Sequence, residues 1–168
     1  IILLSVIRKG RGFAFPLFLF KYKNKRDYMA QKDEIKWNKK YKEIPSLLQT
    51  RAVSKKLMQI VQKAKGKKAL DIASGAGRNS IYLASKGFDV EALDSSIVAL
   101  DALKSKGINN ITCNLVDLDV YEIPNNSYDL IVMTNFLDRK LIPKLKMALK
   151  QDGILFIETY MDDEVNEK

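Results

Sequence analysis

Histidine is absent from all 168 residues, and cysteine occurs once, at Cys113. The first absence excludes a histidine-ligated metal site and a Ser/His/Asp triad; the second excludes an internal disulfide. A lone cysteine fits a reducing, cytoplasmic compartment. Long apolar runs are missing too. Ile1 to Ile7 and Phe13 to Phe20 fall short of the roughly 20 residues of a spanning helix, and Arg8, Lys9, Arg11 and Pro16 interrupt them. No small-residue cleavage site follows Phe20, so a secretory signal is not expected either.

The net charge of +9 is unevenly distributed. Residues 1–28 carry +6, residues 29–68 carry +9 and residues 69–168 carry −6. A basic leading segment could address nucleic acid or anionic lipid, but lysines on a solvated helix face are the commoner explanation. Specific nucleic-acid binding is therefore not expected of the acidic remainder. Met29 opens an ordinary-looking protein start, which gives the expected organisation: a leader over residues 1–28, and one domain over residues 29–168. A basic, aromatic membrane-surface anchor is the competing reading of the leader.

Within the domain, helical segments are expected at 30–43 and about 50–65, the second with Leu57, Ile60 and Val61 as its apolar stripe and Gly66 as its C-cap. Beyond Gly66, apolar runs at Ala69–Ala73, Val90–Leu93, Ile111–Leu115, Leu130–Met133 and Ile154–Ile157 alternate with helix-period stretches such as Ser80–Lys86 and Ile97–Lys106. Five strands alternating with helices predict an α/β fold with a parallel sheet covered on both faces, binding ligands at the carboxyl ends of its strands.

The stretch LDIASGAGRNSIYLASKGFDVEALD, residues 70–94, gives that prediction a chemistry. Glycines at 75 and 77 allow a tight turn and a close approach of backbone to ligand. A dinucleotide fingerprint would need a third glycine where Ser80 stands, followed by an acid such as Asp94 for the ribose. Asp71, four residues before the first glycine, would repel a pyrophosphate and suit a ligand with an ammonium group. NAD is thus disfavoured, though it remains the alternative cofactor.

Residues 67–94 resemble motif I and the following ribose-binding acid of class I S-adenosylmethionine-dependent methyltransferases. The pattern DxGxGxG reads here as Asp71, Ala73, Gly75 and Gly77, with alanine at the first glycine. GRNSIYLASKGFDVEALD further resembles the tellurite-resistance-type, small-molecule branch, and the likeness runs from about Trp37 to Tyr160. It implies a Rossmann-like sheet of order 3-2-1-4-5 with S-adenosylmethionine as cofactor. Asp71, Gly75 and Gly77 would surround the methionine moiety, with Ala73 and Asn79 also in the cofactor site. Asp94, with Ser95 beside it, would take the ribose hydroxyls, and Asp117 with the Leu118 backbone the adenine. A carboxylate just after a strand can indeed accept two hydroxyl hydrogen bonds. Asp94 is expected at a solvent-facing rim, where its loss would leave folding intact.

At the end of the fourth strand, Asn135 would offer its carbonyl to the cofactor, while Phe136 fits core or rim. Trp37 and Tyr41 resemble an aromatic lid, and simple packing of their helix explains them equally well. Methyl transfer to a small-molecule acceptor follows from the resemblance, with an RNA or protein methyltransferase as the alternative. No general base is identifiable; without histidine it would be an acid, Tyr41, Tyr121, Tyr160 or the acceptor. The family's C-terminal antiparallel hairpin has no counterpart after IETY, so a truncated chain is expected, with GILFIETY as a bare edge.

Overall fold

The computed structural model describes residues 25–159, with side chains from Lys32 onward. Residues 1–24, which hold most of the expected leader, and residues 160–168, with Tyr160, lie outside the described residues. Helix α1 (Lys25–Glu43) leads into a short 3-10 helix (Pro45–Leu48), then α2 (Lys55–Val61), β1 (Lys68–Ile72), α3 (Arg78–Ser85), β2 (Asp89–Asp94), α4 (Ile97–Lys104), β3 (Ile111–Leu115), β4 (Tyr128–Thr134), α5 (Ile142–Ala148) and β5 (Leu149–Glu158). The strands form one sheet of order β3-β2-β1-β4-β5, and every pairing is parallel. The expected Rossmann-like order is therefore the observed one.

The two central strands are the most apolar, as strands covered on both faces must be. Leu70, Ile72, Leu130, Ile131, Val132 and Met133 are all fully buried. Side chains alternate between two cores. Ala69, Val90, Leu130 and Val132 meet α2 and α3 through Leu57, Val61 and Leu83. Leu70, Ile72, Leu93, Ile131 and Met133 meet α5 through Leu145 and Ala148, with Ile123 and Tyr128 beside them. Because β1 is flanked by β2 on one side and β4 on the other, the chain reverses its winding direction at the end of β1. That crevice is where such sheets take ligands.

Two local expectations are corrected. The second helix spans Lys55–Val61 and not 50–65, because Ser54 caps it: its hydroxyl accepts the Leu57 N–H at 3.1 Å. Gly66 is not its C-cap, since Gln62 closes the helix. A β-carbon at Gly66 would collide with the Asp129 carboxylate, which accepts the Lys68 N–H at 2.9 Å. Glycine is there to let that carboxylate reach the start of β1. In addition, β5 begins at Leu149, five residues before the expected run, with a register irregularity opposite Tyr128–Leu130.

Candidate functional site

The turn between β1 and α3 is built on left-handed backbone. Ala73, Gly75 and Gly77 have φ of 52°, 56° and 82°. Glycine tolerates this region freely, whereas alanine at 73 is strained, which is the physical reason for a glycine in the DxGxGxG pattern. Gly77 has a second constraint: a β-carbon there would strike Leu103 of α4. Its role is close packing of α3 against α4, and it does not line the cleft.

A cleft of about 610 Å³ opens over this turn. Ala73, Gly75, Asn79, Asp94, Ser95, Asp117, Leu118 and Asn135 all line it, so eight of the ten expected site residues converge on one space from four strand ends. Asp71 lies beneath the turn, 1% exposed, its Oδ2 accepting the Ser80 hydroxyl at 2.6 Å. Burial pushes this carboxyl up to about 6, against the opposing effect of the Ser80 hydrogen bond. Among the described residues three buried side-chain oxygens lack a hydrogen-bond partner: Asp71 Oδ1 near the end of β1, Ser74 Oγ in the turn and Asn79 Oδ1 in the first turn of α3. Such atoms are costly to bury unpaired, and together they suit a hydrogen-bond-donating, cationic group.

Asp94 differs from expectation. It is 8% exposed and is no solvent-facing rim residue. Its Oδ2 accepts the Gly75 N–H at 2.7 Å and its Oδ1 the Ser96 N–H at 2.8 Å, so it ties the glycine turn to the start of α4. Burial pushes its carboxyl upward, opposed by the N–H groups of Ser96 and Gly75. Each oxygen keeps a further lone pair, so a diol can still be accepted.

The fourth strand supplies Thr134, whose hydroxyl oxygen accepts Asn79 Nδ2 at 2.8 Å and Arg78 at 3.3 Å. Asn135 follows with φ 57°, a conformation asparagine tolerates, and its N–H donates to Glu158. Phe136 lines the cleft and also packs against the core. Asp117 closes its own turn, Oδ1 accepting the Asp119 N–H at 2.9 Å, and holds Leu118 toward the cleft.

The α1 aromatics close the opposite side. Trp37 and Tyr41 both line the cleft, their ring centroids 5.9 Å apart. Burial, then the charge of Asp94, pushes the Tyr41 phenol up to about 12, which keeps it protonated and removes it as a base near neutral pH. The helix is pinned by Asn38, whose Oδ1 accepts the Ser96 hydroxyl at 2.7 Å. Sequence reasoning missed Asn38, Thr134 as an anchor, and Arg51 and Arg78 on the cleft wall. Only Arg78, adjoining the glycine turn, had a positional signal.

Comparison with known proteins bears on the family and the fold. The family described as tellurite resistance protein TehB matches residues 28–155. A probable S-adenosyl-L-methionine-dependent methyltransferase TehB of Haemophilus influenzae is 39% identical over 90 residues, 50% of this chain and 31% of that protein. The phosphoethanolamine N-methyltransferase of Plasmodium falciparum is 30% identical over 117 residues, 64% of this chain and 44% of that one. The chain thus spans less than half the length of either relative. In fold, it resembles a SAM-dependent methyltransferase from Aquifex aeolicus, with a TM-score of 0.55, 22% identity and coverage of 67% and 66%. With the matched stretch reaching from α1 to β5 and including the whole glycine turn, the chain belongs to the TehB tellurite resistance protein family.

Proposed function

We propose that this chain binds S-adenosylmethionine in the cleft and transfers its methyl group to a small-molecule acceptor. The observation that carries this reading is a cleft lined by the Asp94 carboxylate and by a second group, the unpartnered oxygens of Ser74 and Asn79 with that of Asp71 buried beneath the turn. The first fits a ribose diol and the second an ammonium group, the two polar ends of that cofactor. Asp117, Leu118 and Asn135 line the same cleft, which supports assigning the first two to the adenine and Asn135 to the cofactor's other side.

When bound, the cofactor supplies a sulfonium methyl whose leaving group is already activated. What remains for the chain is to hold and align, which is worth much of the acceleration for an in-line displacement. Trp37 and Tyr41 exclude water from above, and Asp94 fixes the glycine turn from below. With Tyr41 held protonated and Tyr121 bonded to Glu91, neither phenol serves as base. Deprotonation falls to an acid or to the acceptor itself.

Calorimetric titration with S-adenosylhomocysteine and with NAD tests the reading. Binding of the former is expected; binding of NAD alone would refute it. A second reading, an RNA methyltransferase, draws on the exposed lysines of α1, among them Lys36, Lys39 and Lys42. The cleft opposes it by its balance of charge, for Asp33, Asp94, Asp117, Asp119 and Asp138 line it against Lys40, Arg51 and Arg78. RNA affinity is therefore expected to be weak and to collapse with added salt. Tight, sequence-preferring binding at physiological salt would favour the RNA reading. A soluble cytoplasmic enzyme fits these features, and among the described residues no helix is long and apolar enough to cross a membrane. The domain we assign is residues 29–168.

A further inference from the structure

Glu91 sits in the middle of β2 and shares with Leu93 the sheet face that carries α5. Its Oε1 accepts Asn114 Nδ2 at 2.8 Å and the Tyr121 hydroxyl at 2.9 Å, and its Oε2 accepts the Tyr128 hydroxyl at 2.6 Å. No ion pair among the described residues includes it. A carboxylate held only by neutral donors on a sheet face is costly to desolvate, and an apolar residue would cover that face more simply. Its worth lies in what the three donors are attached to.

Asn114 belongs to the neighbouring strand and Tyr128 opens β4, so both join elements the sheet already holds together. Tyr121 is different. It lies in the connection between β3 and β4, directly after the turn that presents Asp117 and Leu118 to the cleft. The Asp117 carbonyl accepts the N–H groups of Val120 at 3.2 Å and Tyr121 at 2.8 Å, so the turn is closed onto the Tyr121 backbone. At the other end of the same segment, the Val116 N–H donates to the Asp94 carbonyl at 3.0 Å. The turn is therefore moored to β2 at both ends, through Asp94 and through Glu91. Burial and the Glu91 contact push the Tyr121 phenol upward, which keeps it a donor at neutral pH.

We propose that Glu91 and Tyr121 are positioning residues, which hold the Asp117–Leu118 turn in place and thereby set affinity for the adenosine end of the cofactor. This rests on the reading that the cleft takes S-adenosylmethionine. Tyr128→Phe is the control, because it removes a hydrogen bond to the same carboxylate without freeing the turn.

The test measures affinity for S-adenosylhomocysteine and for 5′-methylthioadenosine, which carries the adenosine but no amino acid, together with melting temperature. Tyr121→Phe is expected to weaken both ligands by the same factor, about tenfold, the scale of one hydrogen bond. Tyr128→Phe is expected to lower the melting temperature and leave both affinities near those of the parent. Glu91→Gln, which keeps an acceptor for Tyr121, should bind more tightly than Glu91→Ala. If Tyr121→Phe binds both ligands like the parent, or if Tyr128→Phe weakens them equally, the inference is overturned while the cofactor reading stands. A parent that binds neither ligand overturns both.

Discussion

The phenol oxygen of Tyr41 lies 2.8 Å from the point a β-carbon would occupy on Gly75. Helix α1 thus rests directly on the glycine turn, and the missing side chain at 75 leaves room for a residue 34 positions earlier. Gly75→Ala should both strain a left-handed backbone and displace Tyr41, with a cost of about 1–2 kcal/mol from the backbone alone. S-Adenosylhomocysteine affinity is expected to fall at least tenfold. In the Gly75→Ala background, Tyr41→Phe should be much less harmful than in the parent, because the contact it would relieve is the new clash. Strict additivity of the two changes in calorimetry would show that the contact has no energetic meaning.

Asp94 couples binding to folding. Removing its carboxylate leaves the Gly75 and Ser96 N–H groups without their acceptor, at roughly 1–3 kcal/mol for each one buried. Asp94→Ala should therefore lower the melting temperature even without ligand, and should also weaken S-adenosylhomocysteine by about 2 kcal/mol or more. Asp94→Asn keeps one acceptor oxygen and should fall between. Equal melting of Asp94→Ala and the parent would mean that the turn is held by other means.

Asn38 makes the same point for α1. Its carboxamide oxygen is the acceptor for the Ser96 hydroxyl and lies 3.4 Å from the Val98 N–H, so α1 is fastened to the start of α4. Asn38→Ala should free α1, raising proteolytic cleavage and hydrogen exchange in residues 32–43 while the sheet stays protected. Unchanged exchange there would mean that aromatic packing alone holds α1.

Much of this was legible in the sequence, and the reasons are physical. Parallel central strands must be apolar throughout, so Leu130–Met133 announces itself, and a glycine turn followed by an acid one strand later is a local spacing. Asp94 was therefore found, but not its depth, because burial depends on α4 and the turn folding over it. The Glu91 cluster was invisible: its members at 91, 114, 121 and 128 come together only through strand pairing. Tyr41 was noticed as an aromatic, yet its contact with Gly75 is tertiary. The span of α2 is set by the Ser54 cap, whose hydroxyl accepts the Leu57 N–H, and the apolar stripe of Leu57, Ile60 and Val61 does not carry that boundary.

Ala73 offers a stability test confined to backbone. It holds φ 52°, where an L-residue is strained by about 1–2 kcal/mol and glycine is not. Glycine has more freedom to lose on folding, roughly 0.5–1 kcal/mol. Ala73→Gly should thus raise stability by up to about 1 kcal/mol, or about 2–4 °C in melting temperature for a chain of this size. A lower melting temperature would mean that the Ala73 methyl, which packs against the core near Ile72, matters more than its strain.

Asp71 supplies the pH dependence. Its folded carboxyl titrates at about 6, above the ordinary carboxylate value, so the fold favours the protonated form. The stabilisation it gives is complete below the unfolded value near ~4 and is lost as pH rises through about 6. Above that the ligand-free protein carries a buried, half-partnered charge, a cost of ~3 kcal/mol for a shift of about two units. A ligand bringing an ammonium group to Asp71 Oδ1 binds the ionised form, so affinity should rise from pH 5 to 7 and then level. Asp71→Asn removes the titration while keeping volume and an acceptor for Ser80. Ligand-free, it should match the parent near pH 4.5 and melt higher than the parent at pH 7.5. Its affinity for S-adenosylhomocysteine should be lower at pH 7.5 and flat from pH 5 to 8. A parent whose affinity is equally flat, with Asp71→Asn binding just as tightly, would remove Asp71 from the ammonium end of the site and leave Ser74 and Asn79 to hold it.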